Sequence, residues 1–159
     1  MLILPVFVLS RLLPNQDDSQ NLSSIVILLD RSASMGVKND SGENRLDEAK
    51  RRIRARIERV PEEVGVSLVA YDTRPEVIQP RTLSRRELIS RLDALRVRSI
   101  AARPEEGLET ASLLAGLERP SAIWHASDRP FGDELNDSEW SFQELNVALP
   151  EVSNPGIIG

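Results

Sequence analysis

At 159 residues, with 40% hydrophobic and 28% charged content, the chain has room for one domain with a sizeable core. The balance of 20 Lys plus Arg against 25 Asp plus Glu gives a net charge of -5, which repels phosphate backbones and sets nucleic acid aside as a partner. With no cysteine in the chain, a disulfide framework, a thiolate metal site and a thiol nucleophile are all excluded.

The chain opens on an apolar run, Met1 to Leu9, which contains Pro5 and resumes as Leu12 and Leu13 after Ser10 and Arg11. This is shorter than the roughly 20 apolar residues that span a bilayer. A secretory signal fits poorly, because no basic stretch precedes the run and no small-residue cleavage site follows it. Residues 1–13 therefore read as a packing strand or interfacial anchor of this domain, or, the favoured reading, as the remnant of a membrane anchor whose upstream part is missing here. Residues 14–23 (PNQDDSQNLS) are polar and turn-rich, as a linker is. The domain is placed at 24–159, with its core at 24–130.

Ser24 to Leu29 (SIVILL) is a β-branched and aliphatic run, which predicts a strand buried on both faces of a parallel sheet and ending at Asp30. After a loop rich in Gly, Asn, Asp and Ser, apolar Leu46, Ala49, Ile53, Ile57 and Val60 recur at helical spacing, predicting an amphipathic helix from Arg45 to Val60 that Pro61 stops. Val64 to Tyr71 (VGVSLVAY) predicts a second strand, and Val77 to Gln79 a short edge strand between Pro75 and Pro80. Ser84 and Glu87 have the spacing of a capping box for a helix with Leu88, Leu92 and Leu95 as its buried stripe. Pro104 suits the first position of another helix, through Leu108, Ala111 and Ala115. Ala122 to Ser127 (AIWHAS) is the third strong strand, followed directly by Asp128, and Glu144 to Ala148 predicts one more.

Strands alternating with helices imply an α/β fold: a doubly wound, mostly parallel sheet with helices on both faces. Ligands bind such sheets beyond the carboxyl ends of the strands, where the strand order reverses. Asp30 and Asp128 each stand at such an end. If the first and third strong strands are neighbours, the two carboxylates converge on one crevice.

The loop Asp30-Arg31-Ser32-Ala33-Ser34-Met35-Gly36 places a carboxylate and two hydroxyls on alternate residues, so that three oxygens can face one point. A small hard cation such as Mg²⁺ takes oxygen ligands in near-octahedral geometry and keeps several waters, so this partial shell suffices and leaves a position open. The bland reading of the same residues is that Asp30, Ser32 and Ser34 cap a turn or the following helix.

The segment LLDRSASMG resembles the Asp-x-Ser-x-Ser element of the metal-ion-dependent adhesion site of von Willebrand factor A (VWA) domains and integrin inserted domains. The resemblance covers roughly Ser24 to Pro130, because the element follows a hydrophobic strand, precedes a helix beginning Arg45-Leu46-Asp47-Glu48-Ala49-Lys50, and leads to the strand ending at Asp128. It implies a VWA, Rossmann-like fold and a non-enzymatic protein–protein interaction module that binds Mg²⁺ or Mn²⁺. It also implies that Ser32 and Ser34 ligate the metal directly, that Asp30 and Asp128 act through water, and that a partner's acidic side chain takes the open position. Two departures stand against the family pattern. Ala102 aligns with the loop threonine that supplies a third hydroxyl, with Ser99 nearby as a substitute. Arg129 follows Asp128 where the family has glycine, placing a guanidinium beside the site to pair with Asp128 and compete with a cation, or to help bind an acidic partner. The chain stops before the closing helix and strand of a full VWA sheet, which reads as a C-terminally incomplete domain. With its apolar start, it resembles bacterial membrane-associated VWA proteins of the aerotolerance type.

Ala102 and Arg129 carry the alternative of a degenerate, metal-free scaffold. A Mg²⁺-dependent phosphoryl-transfer enzyme is disfavoured: a phosphatase of the strand-end aspartate type needs a second carboxylate where Ser32 stands, and a receiver needs a lysine after a later strand, whereas Lys38 and Lys50 are the only lysines. No Ser-His-Asp set is evident. The one histidine, His125, lies in a strand opposite in alternation to Trp124 and reads as a satisfied structural residue. The basic run Lys50, Arg51, Arg52, Arg54, Arg56 and Arg59 is interleaved with Glu48 and Glu58 and reads as a solvated helix face. Trp140 and Phe142 read equally as partner contacts or as anchoring aromatics.

Overall fold

The computed structural model describes residues 21–132, 135 and 139–148. The apolar segment 1–13, linker residues 14–20 and the chain's close at 149–159 lie outside the described residues. Among the described residues five strands form one sheet: β1 (Ser24–Asp30), β2 (Gly65–Tyr71), β3 (Pro75–Thr82), β4 (Ser121–Ser127) and β5 (Ser141–Asn146), in the order β3-β2-β1-β4-β5. β1 lies at the centre because it is apolar on both faces: Ile25, Val26, Ile27, Leu28 and Leu29 are all fully buried. At roughly 1.5–3 kcal/mol for each large aliphatic side chain taken from water, no other placement of this strand competes.

β1 pairs in parallel with β2, Ser24 beside Gly65, and with β4, Ser24 beside Ser121. The chain thus leaves β1 to one side and later returns on the other, so the strand order reverses between β1 and β4. The adjacency on which the convergence of Asp30 and Asp128 depends is present.

β3 pairs antiparallel with β2 and is longer than the sequence suggested, running from Pro75 through Pro80 to Thr82, with a register irregularity between Val66 and Leu68. An edge strand bonds on one side only, so it tolerates prolines that a central strand rejects. β5 is half-buried and begins three residues earlier than Glu144; at this edge backbone pairing to β4 holds the polar Ser141 and Gln143 in place.

Among the described residues three α-helices cover the faces. α1 (Arg45–Ile57) is capped by Asn44, whose side chain accepts from Asp47 N at 2.7 Å. α2 (Arg85–Ala94) is capped by Ser84, which accepts from Glu87 N at 3.2 Å. Only half of the expected capping box forms, since both Ser84 N and the Glu87 carboxylate bond to Thr82 Oγ1. α3 (Pro104–Leu117) has proline in its first turn. α1 and α2 pack on the face of Ile25, Ile27, Leu29, Leu68 and Trp124. α3 packs on the opposite face with Val26, Leu28, Val69, Tyr71 and Ile123. It approaches closely because residue 107 is glycine: a β-carbon there would stand 2.9 Å from Tyr71 Cγ.

Candidate metal centre

Asp30 ends β1 with its side chain turned inward and 1% exposed. Its Oδ1 accepts from Ser32 N at 2.8 Å and its Oδ2 from Ser127 Oγ at 2.8 Å. Among the described residues no Lys, Arg or His pairs with it. A buried carboxylate loses several kcal/mol of hydration, and two hydrogen bonds to an ionised group return roughly 1.5–3 kcal/mol each. Hydrogen bonds alone, with no ionic partner among the described residues, hold this carboxylate.

The next residue of the chemistry, Ser32, is extended (φ -67°, ψ 172°) and 2% exposed, at the start of a short 3-10 turn, Ala33–Gly36. It stands where a capping serine would, yet its side chain makes no capping bond. Its hydroxyl instead lies 3.3 Å from Ser34 Oγ, which donates to Asp128 Oδ1 at 3.0 Å. Asp30 alone behaves partly as the capping reading expected, through its turn-forming bond to Ser32 N. Adjacent ligands of an octahedral ion with bonds of about 2.1 Å stand about 3.0 Å apart, close to the 3.3 Å between the Ser32 and Ser34 hydroxyls. All-oxygen donors of this kind suit Mg²⁺ or Mn²⁺. Among the described residues no three His, Asp or Glu side chains gather, so hydroxyls are essential to any cation site here.

The guanidinium beside Asp128 belongs to a residue that sequence reasoning missed. Arg45, the first residue of α1, bonds Asp128 Oδ2 at 2.8 Å and approaches Ser34 O at 3.5 Å. Arg129 does not fill that role; its backbone N–H donates to Ser127 Oγ at 3.0 Å. One signal was present: a cation at a helix N-terminus opposes the helix dipole, so Arg45 directly after the Asn44 cap asks for another partner.

The segment after α2 borders the Asp30–Gly36 loop through Ala33 N to Ile100 O at 2.9 Å and Arg98 N to Arg31 O at 2.8 Å. Ala102 packs against the cluster of Val69 and Tyr71 and brings no oxygen. Ser99 is exposed, and no described hydrogen bond joins it to Asp30, Ser32, Ser34 or Asp128. Ala102 thus supplies no hydroxyl at this position. Arg31, buried within the loop, bonds Asp72 Oδ2 at 2.9 Å and Glu76 Oε2 at 2.7 Å. Burial alone would raise the Asp72 pKa, but the Arg74 N–H and the Arg31 and Arg98 guanidinium groups outweigh it and hold the carboxyl below its ordinary value. This network braces the base of the Asp30–Gly36 loop.

Beneath Asp30 runs a buried chain of polar groups. His125, wholly buried, meets Tyr71 Oη at 2.7 Å and Glu144 Oε2 at 2.8 Å, while Glu144 Oε1 accepts from Phe131 N at 2.8 Å. Burial, and then the negative charge of Asp30, push the Tyr71 hydroxyl well above its ordinary pKa. His125 is thus the satisfied structural residue expected, on the face opposite Trp124. Trp140 and Phe142 pack against the α3-side cluster, so they anchor. The basic face of α1 is less solvated than expected: Arg52 pairs with Glu48, Arg54 with Asp93, and Arg56 bonds Gln143 and lies over the Trp124 ring.

Residues 25–130 match the family described as von Willebrand factor type A domain. A comparison with curated proteins finds no match. Among solved structures, the chain is similar to the conserved hypothetical protein BatB from Bacteroides thetaiotaomicron, at 20% identity and a TM-score of 0.57 over 64% of this chain and 51% of that one. It is similar to an aerotolerance-related membrane protein from Bacteroides fragilis, at 19% identity and a TM-score of 0.57 over 64% of this chain and 52% of that one. A third likeness is to three N-terminal domains of the type V pili tip protein Mfa5 from Porphyromonas gingivalis, at 23% identity and a TM-score of 0.55 over 64% of this chain and 19% of that one. The chain thus spans about half the length of the first two. Among the described residues no helix is long and apolar enough to cross a membrane.

Proposed function

The chain belongs to the von Willebrand factor type A domain family, whose members commonly mediate protein–protein interaction, and from that premise we propose that it is a non-enzymatic interaction module working through a divalent cation. The observation that carries this reading is the convergence of Ser32, Ser34 and Asp128 oxygens above the buried, cation-free Asp30 carboxylate. Ser32 and Ser34 would hold Mg²⁺ or Mn²⁺ directly, with Asp30 and Asp128 contributing charge and orienting its waters. The bound ion supplies Lewis acidity at a position open to a partner's Asp or Glu side chain. Asp30 fixes the loop through Ser32 N, and Ser127 fixes Asp30, so the donor set is organised by the ends of β1 and β4. In this reading residues 1–13 provide membrane association.

A second reading, the metal-free scaffold, is favoured by one pair of observations: Asp128 is already paired with Arg45, and Ala102 adds no ligand. Thermal melting with and without Mg²⁺ or Mn²⁺ separates the two. A ligand at ~100 times its dissociation constant adds roughly 2.7 kcal/mol to the native state, a rise in Tm that Asp30→Ala abolishes. No rise in the wild-type chain at saturating metal favours the scaffold.

A further inference from the structure

Resting on the metal-site reading above, we infer that Arg45 is a tethered competitor of the cation, and that its pairing with Asp128 keeps the divalent-ion affinity of this site low. Three observations support the assignment. Arg45 sits in the first turn of α1, where a cation opposes the helix dipole and serves the helix poorly. Its Nη1 reaches Asp128 Oδ2 at 2.8 Å while Ser34 Oγ takes Oδ1 at 3.0 Å, so both oxygens of the carboxylate are committed. Its charge also offsets one of the two carboxylates, Asp30 and Asp128, that would otherwise attract a divalent ion.

The spacing of the oxygens allows exchange without rebuilding the loop. Hydrogen-bonded oxygens and adjacent metal ligands stand at nearly the same separation, about 3.0 Å, so the Ser32 and Ser34 hydroxyls, 3.3 Å apart, serve either state. Arg45 is the element that must move: its side chain is 27% exposed, against 6% for Asp128, and swings into solvent while the carboxylate stays.

The test is calorimetric titration of Mn²⁺ into the wild-type chain, Arg45→Gln and Arg45→Lys, each shown folded by far-UV circular dichroism. Removing a unit positive charge within a few ångströms of a partly buried cation site is worth at least about tenfold in affinity. Arg45→Gln is therefore expected to bind Mn²⁺ at least about tenfold more tightly than wild type, and Arg45→Lys to stay near wild type. Binding by Arg45→Gln alone also supports the inference, but it contradicts the proposed cation-dependent function of the wild-type chain. Should Arg45→Gln fail to fold, Arg45→Met keeps the aliphatic stem and is read the same way. If wild type binds and the neutral variants bind equally or more weakly, Arg45 is a structural tie between α1 and β4; the inference falls and the metal site stands. If no folded form binds, both fall.

Discussion

Replacing Asp30 by Asn is expected to leave the metal-free protein at least as stable as wild type while removing its response to divalent cation. The carboxylate is buried, accepts two hydrogen bonds of 2.8 Å and pairs with no cation among the described residues. Turning two charge-assisted bonds into neutral ones loses about 2 kcal/mol in all. Removing the unpaired charge returns several kcal/mol of desolvation. Asn keeps the shape: its oxygen still accepts from Ser32 N, and its amide donates to Ser127 Oγ, which is able to accept. The balance lies between about zero and 2 kcal/mol in favour of Asn. Urea denaturation in EDTA measures it, and repetition with saturating Mg²⁺ asks for the stabilisation that only wild type should gain. A loss of more than about 1 kcal/mol in EDTA would refute the reasoning, because Asp30 would then be a structural turn residue and not a charge awaiting a cation.

Ser127→Ala removes the donor to Asp30 Oδ2 and should destabilise by about 1.5–3 kcal/mol in urea, falling below about 1 kcal/mol in an Asp30→Asn background; equal losses in both backgrounds would contradict the coupling. Gly107→Ala places a β-carbon 2.9 Å from Tyr71 Cγ and 3.2 Å from Leu28 Cδ1. Overpacking of about 1–3 kcal/mol should exceed the gain of up to about 1 kcal/mol in helix propensity and lower Tm; an unchanged or higher Tm would contradict the close approach of α3. Because Asp72 has a folded pKa below its unfolded value, its contribution is present above the unfolded pKa and lost as pH falls through the folded one. Stability should therefore keep falling with acid below about pH 4, and Asp72→Asn should flatten that part of the curve; identical slopes in urea titrations would argue against it.

Much of this was legible in the sequence because β1 is a continuous apolar run and β2 and β4 are mostly apolar, and runs of that kind have no stable place except the interior of a covered parallel sheet. The Asp30, Ser32 and Ser34 loop was legible for a related reason: alternate residues after a buried strand share a direction, whatever the rest of the fold does. Arg45 was not, because its bond to Asp128 joins residues that only the β1–β4 adjacency brings together. The Arg31, Asp72 and Glu76 network was hidden likewise, since its members lie on separate elements and charged residues carry no period. β5 was misplaced because at a sheet edge backbone pairing substitutes for the hydrophobic pattern that marks an interior strand. His125 was read correctly as structural, but its partners Tyr71 and Glu144 are set by register alone.

Electron paramagnetic resonance of free Mn²⁺, titrated against the wild-type chain and a Ser32→Ala, Ser34→Ala double variant, tests the central claim most directly. One bound ion per wild-type chain, lost in the double variant while its circular dichroism is unchanged, is the predicted result. Equal binding by both proteins, or none by the folded wild type, would contradict it.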